Sequence, residues 1–533
     1  MANQTLFQTI RGAFAPVTDS TNLAGAPAYR FSDEHALAQL ASTGCLNGTF
    51  YASAADQLDS VLQLAMKVDV RFVAQTAVYA RREGFMKDMP ALLCAVLAAR
   101  DTTLLEAVFP DVIDSGKMLR TFVQILRSGA VGRKSLGSAP KRLVRRWLER
   151  TSDEQLFRAS VGNSPSLADV IKMVHPRPGS ARREALYGYL IGRPYDSNAL
   201  PALVADFERY KRNRDGAVPN VPFQMLTALD LDAEAWTEIA RNAPWQMTRM
   251  NLNTFARHGV FKVAGMPTLI ARRLADETLV SRSRAFPYQL LAAFQNTGDE
   301  VPGKVRDALQ DAMEIATTNV PTFGGRVAVC VDASGSMHSP VTGYRTGSSS
   351  KVRCVDAAAL IAATLLRRNR DTAVLPFTEK VLKVRLNQRD SIMTNASKLA
   401  SLPPGGTNCS ASLEKLVSTR ADVDLVIMVS DNESWMDSPT YARWGGGSRT
   451  ATLEAWAKIK QRNPKAKLVC IDITPNGTSQ VPSTRPDILN IGGFSDRVFD
   501  VIAAFAKQSP DPDFWVQEIQ NTTIIETEMN QAS

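Results

Sequence analysis

The chain has 533 residues, of which 44% are hydrophobic and 22% charged, and a formal net charge of +9. That length exceeds one ordinary domain and points to two or three, and the balance is that of a globular protein, which excludes disordered and collagen-like classes. No run approaches eighteen consecutive apolar residues, so no membrane-spanning helix and no membrane partner are expected, and the start MANQTLFQTIRG lacks the pattern of a secretory signal. Six cysteines, Cys45, Cys94, Cys330, Cys354, Cys409 and Cys470, lie scattered without a CxxC pair, which reads as reduced thiols in a cytoplasmic protein.

In chain order, apolar residues at 61, 64, 65, 68, 72, 73, 77 and 78 predict one helical stripe over 60–82. Helical windows follow at 89–100, 102–113, 118–129, 140–150, 166–174, 181–191, 201–211, 223–229, 233–241, 247–257 and 267–278. Ser128-Gly129 reads as a helix stop, and Pro90 and Pro140 sit near helix starts. Many short helices in series, with almost no strand pattern between them, predict an all-α, HEAT-like solenoid over residues 1–320. No fixed repeat period emerges, which leaves a globular helical domain as the alternative.

Within this region the charge is concentrated. Residues 117–150 hold Lys117, Arg120, Arg127, Arg133, Lys134, Lys141, Arg142, Arg145, Arg146 and Arg150 against the single acid Glu149. A local excess of that size points to a polyanion; the bland alternative is a solvated helix face. The candidates for phosphate contact are Arg120, Arg127, Arg133, Lys134, Lys141, Arg142, Arg145 and Arg146, joined by Lys172, His175 and Arg177. His175 is read either as a phosphate donor or base-stacking residue, or as a satisfied buried histidine. Arg249, Arg257, Arg282 and Arg284 make a second basic set on later helices. With aromatics at 7% and none interleaved in the basic run, stacking should be secondary to phosphate contact.

The texture changes at Val320-Pro321-Thr322-Phe323-Gly324-Gly325. Strand-like runs at 326–332, 372–378, 380–386, 424–430 and 467–474 alternate with helical runs at 355–368, 410–419, 451–462 and 495–508. This predicts an α/β domain over 321–510 with a doubly wound, mostly parallel sheet, followed by a loosely held polar tail at 511–533. Ligands of such sheets sit beyond the C-terminal strand ends, where Asp332, Ser334, Ser336, Thr407 and Asp431 supply only oxygen. That donor set suits Mg²⁺, or Mn²⁺, with an open position for a partner's oxygen. DxSxS alone is a weak signal; a preceding apolar strand, a GGT loop and a second strand-terminal Asp make it strong. A phosphatase reading of Asp332 would call for a second Asp at 334, which is Ser, and turn-capping is the purely structural alternative.

The segment 326–508 resembles a von Willebrand factor A domain, and its motif resembles the metal-ion-dependent adhesion site. Gly48-Thr49-Phe50-Tyr51, Gly132-Arg133-Lys134, Lys172-Met173-Val174-His175-Pro176-Arg177-Pro178 and Ser281-Arg282-Ser283-Arg284-Ala285-Phe286-Pro287, in that order, resemble the TROVE domain of the Ro family. Asn408 departs from the family, whose eukaryotic members carry Asp after GGT. The resemblance implies a helical ring closed by the A domain, with Y RNA on its outer basic surface and single-stranded 3′ ends of misfolded or damaged RNA in the central hole. It also implies RNA quality control, with a 3′ exoribonuclease such as polynucleotide phosphorylase as partner. The function expected is RNA binding without catalysis. The alternative is an adhesion scaffold whose metal grips a protein carboxylate.

Overall fold

The computed structural model describes residues 17–214, 216–283, 285, 287–318, 320–344, 350–435, 449–474, 476–493, 495, 497–507 and 513–524. The chain divides into two compact units, one made of residues 1–67, 284–296 and 310–521, the other of 68–283, 297–309 and 522–533. This division differs from the one expected at 320: among the described residues, 17–67 group with the α/β domain.

The α/β unit is built on five parallel strands, β3 (Val327–Asp332), β4 (Thr372–Phe377), β5 (Leu425–Ser430), β6 (Lys467–Asp472) and β8 (Ile488–Gly492), in the order β4-β3-β5-β6-β8. β3 and β5 are buried at every residue, as their unbroken apolar runs require in a sheet covered on both faces. β1 (Ser20–Thr21), β2 (Pro27–Arg30) and β7 (Thr478–Ser479) form a small antiparallel sheet that ties the N-terminal segment to the domain.

The helix Asp33–Thr43 then packs on β8 and covers that edge, which explains why His35 through Thr43 are all buried. The approach is close: a Cβ on Gly492 would collide with Gln39 and Thr43. The helix Phe514–Gln520 packs against the same helix and strand, with Trp515 and Ile519 fully buried. This corrects the loose tail expected over 511–533, at least for 513–524; residues 525–533 lie outside the described ones.

Two further readings change. The run 380–386 adds no strand, because β4 is an edge strand and Pro376 has no N–H to extend the ladder; contact is limited to the Phe377–Val381 bridge and Leu382 N–H donating to Pro376 O at 2.7 Å. β8 and the helix Ile392–Ala400 are elements the periodicity missed.

The helical unit is described on its own. Its helices Val70–Arg82, Asp88–Arg100, Thr102–Val112, Gly116–Ser128, Ser138–Arg150 and Leu167–Val174 pack on near neighbours, commonly the next helix or the next but one, as in a HEAT-like stack. Leu92, Leu93, Leu97 and Phe122 fill its core, and Phe109 meets Phe122 edge-on at 5.2 Å. The expected stripe 60–82 is interrupted at Asp69, whose carboxylate caps the second helix through Arg71 N at 2.9 Å and Phe72 N at 3.3 Å. Window 247–257 likewise splits at Asn251, whose amide donates to Met247 O at 2.8 Å. Among the described residues no helix is long and apolar enough to cross a membrane.

Trp515→Ala should destabilise the α/β unit by about 3–5 kcal/mol, the cost of emptying a buried aromatic site. Urea unfolding of the full chain, followed by tryptophan fluorescence, checks this. A loss of about 0.5 kcal/mol or less, the surface-site range, would restore the loose-tail reading.

Candidate metal centre and nucleic-acid interface

Parallel register aligns Val331 of β3 with Val429 of β5, so Asp332 and Ser430 end neighbouring strands and Asp431 follows directly. Ser430 Oγ donates to Asp332 Oδ2 at 2.5 Å, and Ser334 N–H donates to Asp332 Oδ1 at 2.8 Å. Ser334 and Ser336 hydroxyls lie 3.2 Å apart, and Ser336 also bonds the Asp431 carboxylate. Gly335 N–H donates to Gly405 O at 2.9 Å, which fastens the first motif loop to the loop carrying Thr407. Asp332, Ser334, Ser336, Thr407 and Asp431 are all buried.

Burial raises the pKa of Asp332, and the neighbouring Asp431 raises it further; burial raises Asp431 as well. Two desolvated carboxylates beside each other, ringed by hydroxyls and bonded to no basic side chain among the described residues, are a poor arrangement for a neutral core and a good one for a hard cation. Glu433 sharpens the point. It is fully buried, its Oε1 has no hydrogen-bond partner, and burial followed by Asp431 pushes its carboxyl up to about 8. The residues present thus fit a divalent cation held by Asp332, Ser334, Ser336, Thr407 and Asp431. Among the described residues no three His, Cys, Asp or Glu side chains group as a metal site, and three of these five donors are hydroxyls.

Asn408 takes no part in this donor set. Its Oδ1 accepts from Ser410 N at 3.1 Å and Ser410 Oγ at 2.7 Å, while its amide donates to Glu379 O at 3.2 Å. Only the amide donation distinguishes it from Asp, so the departure serves the loop. Two residues of the site went unassigned in the sequence. Tyr51, seen there only within GTFY, bonds Ser336 and faces Asp431, Glu433 and Asp332; burial raises its phenol well above the usual range. Glu433 accepts from Ala24 N at 3.2 Å, so the N-terminal segment closes this side of the site. Both links join residues far apart in the chain, and no local pattern signals either.

The basic candidates lie in the helical unit and sort into two kinds. Lys134, Lys141, Arg142, Arg145, Arg146, Arg127, Lys172, His175 and Arg177 are exposed, whereas Arg120 and Arg133 are half-buried. Arg133 bonds Ala98 O, Arg145 bonds Val174 O, Arg142 pairs with Glu106, and Arg120 donates to Gly116 O at 3.3 Å. Lys134, Lys141, Arg146 and Arg177 make no such bond among the described residues.

The helix Ser138–Arg150 buries Pro140, Leu143, Val144 and Leu148 and turns Lys141, Arg142, Arg145, Arg146 and Arg150 outward. It packs against the helix Leu167–Val174, which brings Lys172 and His175 to the same region. His175 is an exposed left-handed cap residue (φ 49°), which removes the buried-histidine alternative. Trp147 Nε1 is committed to Ile113 O at 3.0 Å. In the second basic set, Arg249 is buried over the Trp245 ring at 5.9 Å, Arg257 and Arg282 are exposed, and Arg284 lies outside the described residues.

Comparison with known proteins places these features. A family model described as the Ro60 vWA domain matches residues 326–506. The RNA-binding protein RO60 of Deinococcus radiodurans is 26% identical over 521 residues, covering 91% of this chain and 95% of that protein. The RNA-binding protein RO60 of Caenorhabditis elegans is 28% identical over 248 residues, covering 44% of this chain and 36% of that protein. The crystal structure of the Deinococcus radiodurans RO (RSR) protein matches with a TM-score of 0.61 at 24% identity, covering 90% of this chain and 100% of that one, a likeness of fold. Residues 326–506 therefore match a von Willebrand factor A domain of the Ro60 type, and the chain is similar along 91% of its length to the RNA-binding protein RO60 of Deinococcus radiodurans.

Proposed function

We propose that this chain is a non-catalytic RNA-binding protein whose helical unit holds RNA by its phosphates. The observation that carries the reading is the outward row of Lys141, Arg142, Arg145, Arg146 and Arg150 on one helix, with Lys172, His175 and Arg177 on the neighbouring segment. Such a surface neutralises backbone charge without reading bases, which suits varied RNAs. The family resemblance and the names of the two RO60 relatives support RNA as the ligand. On that resemblance the finer reading is structured Y RNA on the basic face, capture of single-stranded 3′ ends of misfolded or damaged RNA, and a role in RNA quality control beside polynucleotide phosphorylase.

The metal centre is proposed to hold Mg²⁺, or Mn²⁺, in a structural or partner-binding role, with a protein carboxylate completing its shell. His338, the histidine nearest the motif in sequence, is bonded to Arg353 at 2.8 Å, and burial, then Arg353, lowers its pKa; this supports a role outside proton transfer.

Lys141→Glu with Arg146→Glu should weaken binding of a structured small RNA at least about tenfold in 0.1 M salt. It should also make log K against log salt shallower by about 0.7–0.9 for each phosphate no longer neutralised. Fluorescence anisotropy across a salt series reads both, and unchanged affinity removes this face from the proposal. Arg133→Ala behaves differently, lowering stability by removing the bond to Ala98 O.

A second measurement separates the two units. Asp332→Ala should abolish Mn²⁺ binding, followed by electron paramagnetic resonance, and leave RNA affinity unchanged. Loss of RNA binding in the folded variant would overturn the assignment of RNA to the helical unit. Retention of a protein only when Mg²⁺ is present, with no RNA bound, would favour the adhesion scaffold.

A further inference from the structure

The helical unit also contains a strongly acidic cavity, which is out of keeping with its basic run. About 480 Å³ in volume, it lies between the helices Ala202–Asn213 and Ala233–Asn242, with Asp230, Asp232, Glu234 and Glu238 on its walls. The one basic residue among the lining is Arg214, so the formal charge of these five side chains is −3. Arg214 does not neutralise the acids. Its guanidinium is spent on main-chain carbonyls, Tyr210 O at 2.9 Å, Asp230 O at 3.2 Å and Lys211 O. None of the four carboxylates is ion-paired among the described residues.

Two of the carboxylates are held in place with an oxygen to spare. Asp232 Oδ1 accepts from Ala235 N at 2.8 Å, and Glu238 Oε1 accepts from Val218 N at 3.1 Å. Tyr210, a residue only 3% exposed, lines the same cavity; Glu238 and Asp232 both act on its phenol, and no protein group bonds its hydroxyl among the described residues. The hydroxyl is not among the fully enclosed side-chain atoms, so the small exposed part of this residue opens on the cavity, where the hydroxyl is free to bond water or a ligand.

We propose that this cavity is a binding site for an organic cation carrying primary ammonium groups, of the extended polyamine kind. An anion is excluded by the charge, so the cavity is no part of the phosphate-binding face. A single divalent ion is disfavoured because no three carboxylates here group closely enough to chelate one. Dispersed carboxylates with a phenol and the apolar Val218, Leu231 and Ala235 between them suit ammonium groups joined by methylene stems. Each ammonium has three donors and no acceptor, which matches a cavity of free acceptors.

The test is calorimetric titration of the full chain with spermidine at constant ionic strength, beside MgCl₂ and a lysine tetrapeptide as separate titrants. Spermidine should bind saturably, and Glu234→Gln with Glu238→Gln should weaken it at least about tenfold. Tyr210→Phe, which keeps the ring and removes only the hydroxyl, should weaken it several-fold with the unliganded unfolding midpoint unchanged. A free polyamine is the occupant if spermidine binds and the peptide does not; a lysine side chain of a protein segment is the occupant if the peptide binds and displaces spermidine. Equal binding of MgCl₂, or spermidine affinity unchanged in both variants, overturns the proposal.

Discussion

Two carboxylates, Asp332 and Asp431, are carried out of water at the ends of neighbouring strands, and the surrounding architecture of the α/β unit follows from having to tolerate them. Parallel pairing gives no choice in the matter: once β3 and β5 lie in register, Asp332 comes beside Ser430, and Asp431 follows directly. Like charges in a medium of low dielectric repel strongly, and each also loses its hydration. The chain answers with local donors, Ser430 Oγ, Ser334 N–H and Ser336 Oγ, which are hydroxyl or amide groups rather than cations. Hydrogen bonds of this kind moderate the penalty without cancelling the charge. The uncancelled charge is what the proposed cation would meet, and a basic side chain at this point would remove it.

The N-terminal segment matters for the same reason. A strand-end site on an open sheet would ordinarily face solvent, and solvent would screen the two acids. Here Asn22 donates to Ser434 O at 2.6 Å, Ala24 N–H reaches Glu433, and Tyr51 rests on Ser336. These contacts exclude water and so strengthen every electrostatic interaction within. In the proposed metal centre they would make cation affinity depend on residues 22–51, far from the motif in sequence. Burial of the segment is secured elsewhere, by the helix Asp33–Thr43 on β8 and by Trp515, so the edge cover of the sheet and the dryness of the metal centre have one structural origin.

Local chemistry was legible in the sequence, and long-range chemistry was not. That Asp332, Ser334, Ser336 and Asp431 meet at strand ends is legible because apolar strands announce their own ends and the motif residues fall at or just beyond them. Helix positions were readable wherever the apolar stripe was long, and misjudged where a side chain such as Asp69 or Asn251 competes for backbone bonds within a stripe. β8 is not legible because ILNIG is short, follows Pro486 closely and ends in the glycine pair Gly492-Gly493. Tyr51 and Glu433 could not be assigned, since what makes them part of the site is a contact with distant chain. The basic run shows the converse failure: ten cations read as one feature, but Arg133 and Arg145 serve as cross-braces to carbonyls while Lys141 and Arg146 stand free.

This last distinction separates the electrostatics of the two units. Charges on the outward face of Ser138–Arg150 are solvated, and salt screens their interactions over about 10 Å at 0.1 M. Asp332 and Asp431 are buried, so their attraction for a cation is screened far less. On the proposed function, moderate salt should therefore weaken polyanion binding to the helical unit before it disturbs a cation at Asp332 and Asp431. The two proposed sites are both built on charge but lie at opposite ends of the dielectric range. Free surface cations suit ligands that must exchange, and buried acids suit an ion that stays. The proposed roles, RNA on the helical unit and an ion in the α/β unit, call for that asymmetry, and the placement of the charges matches it.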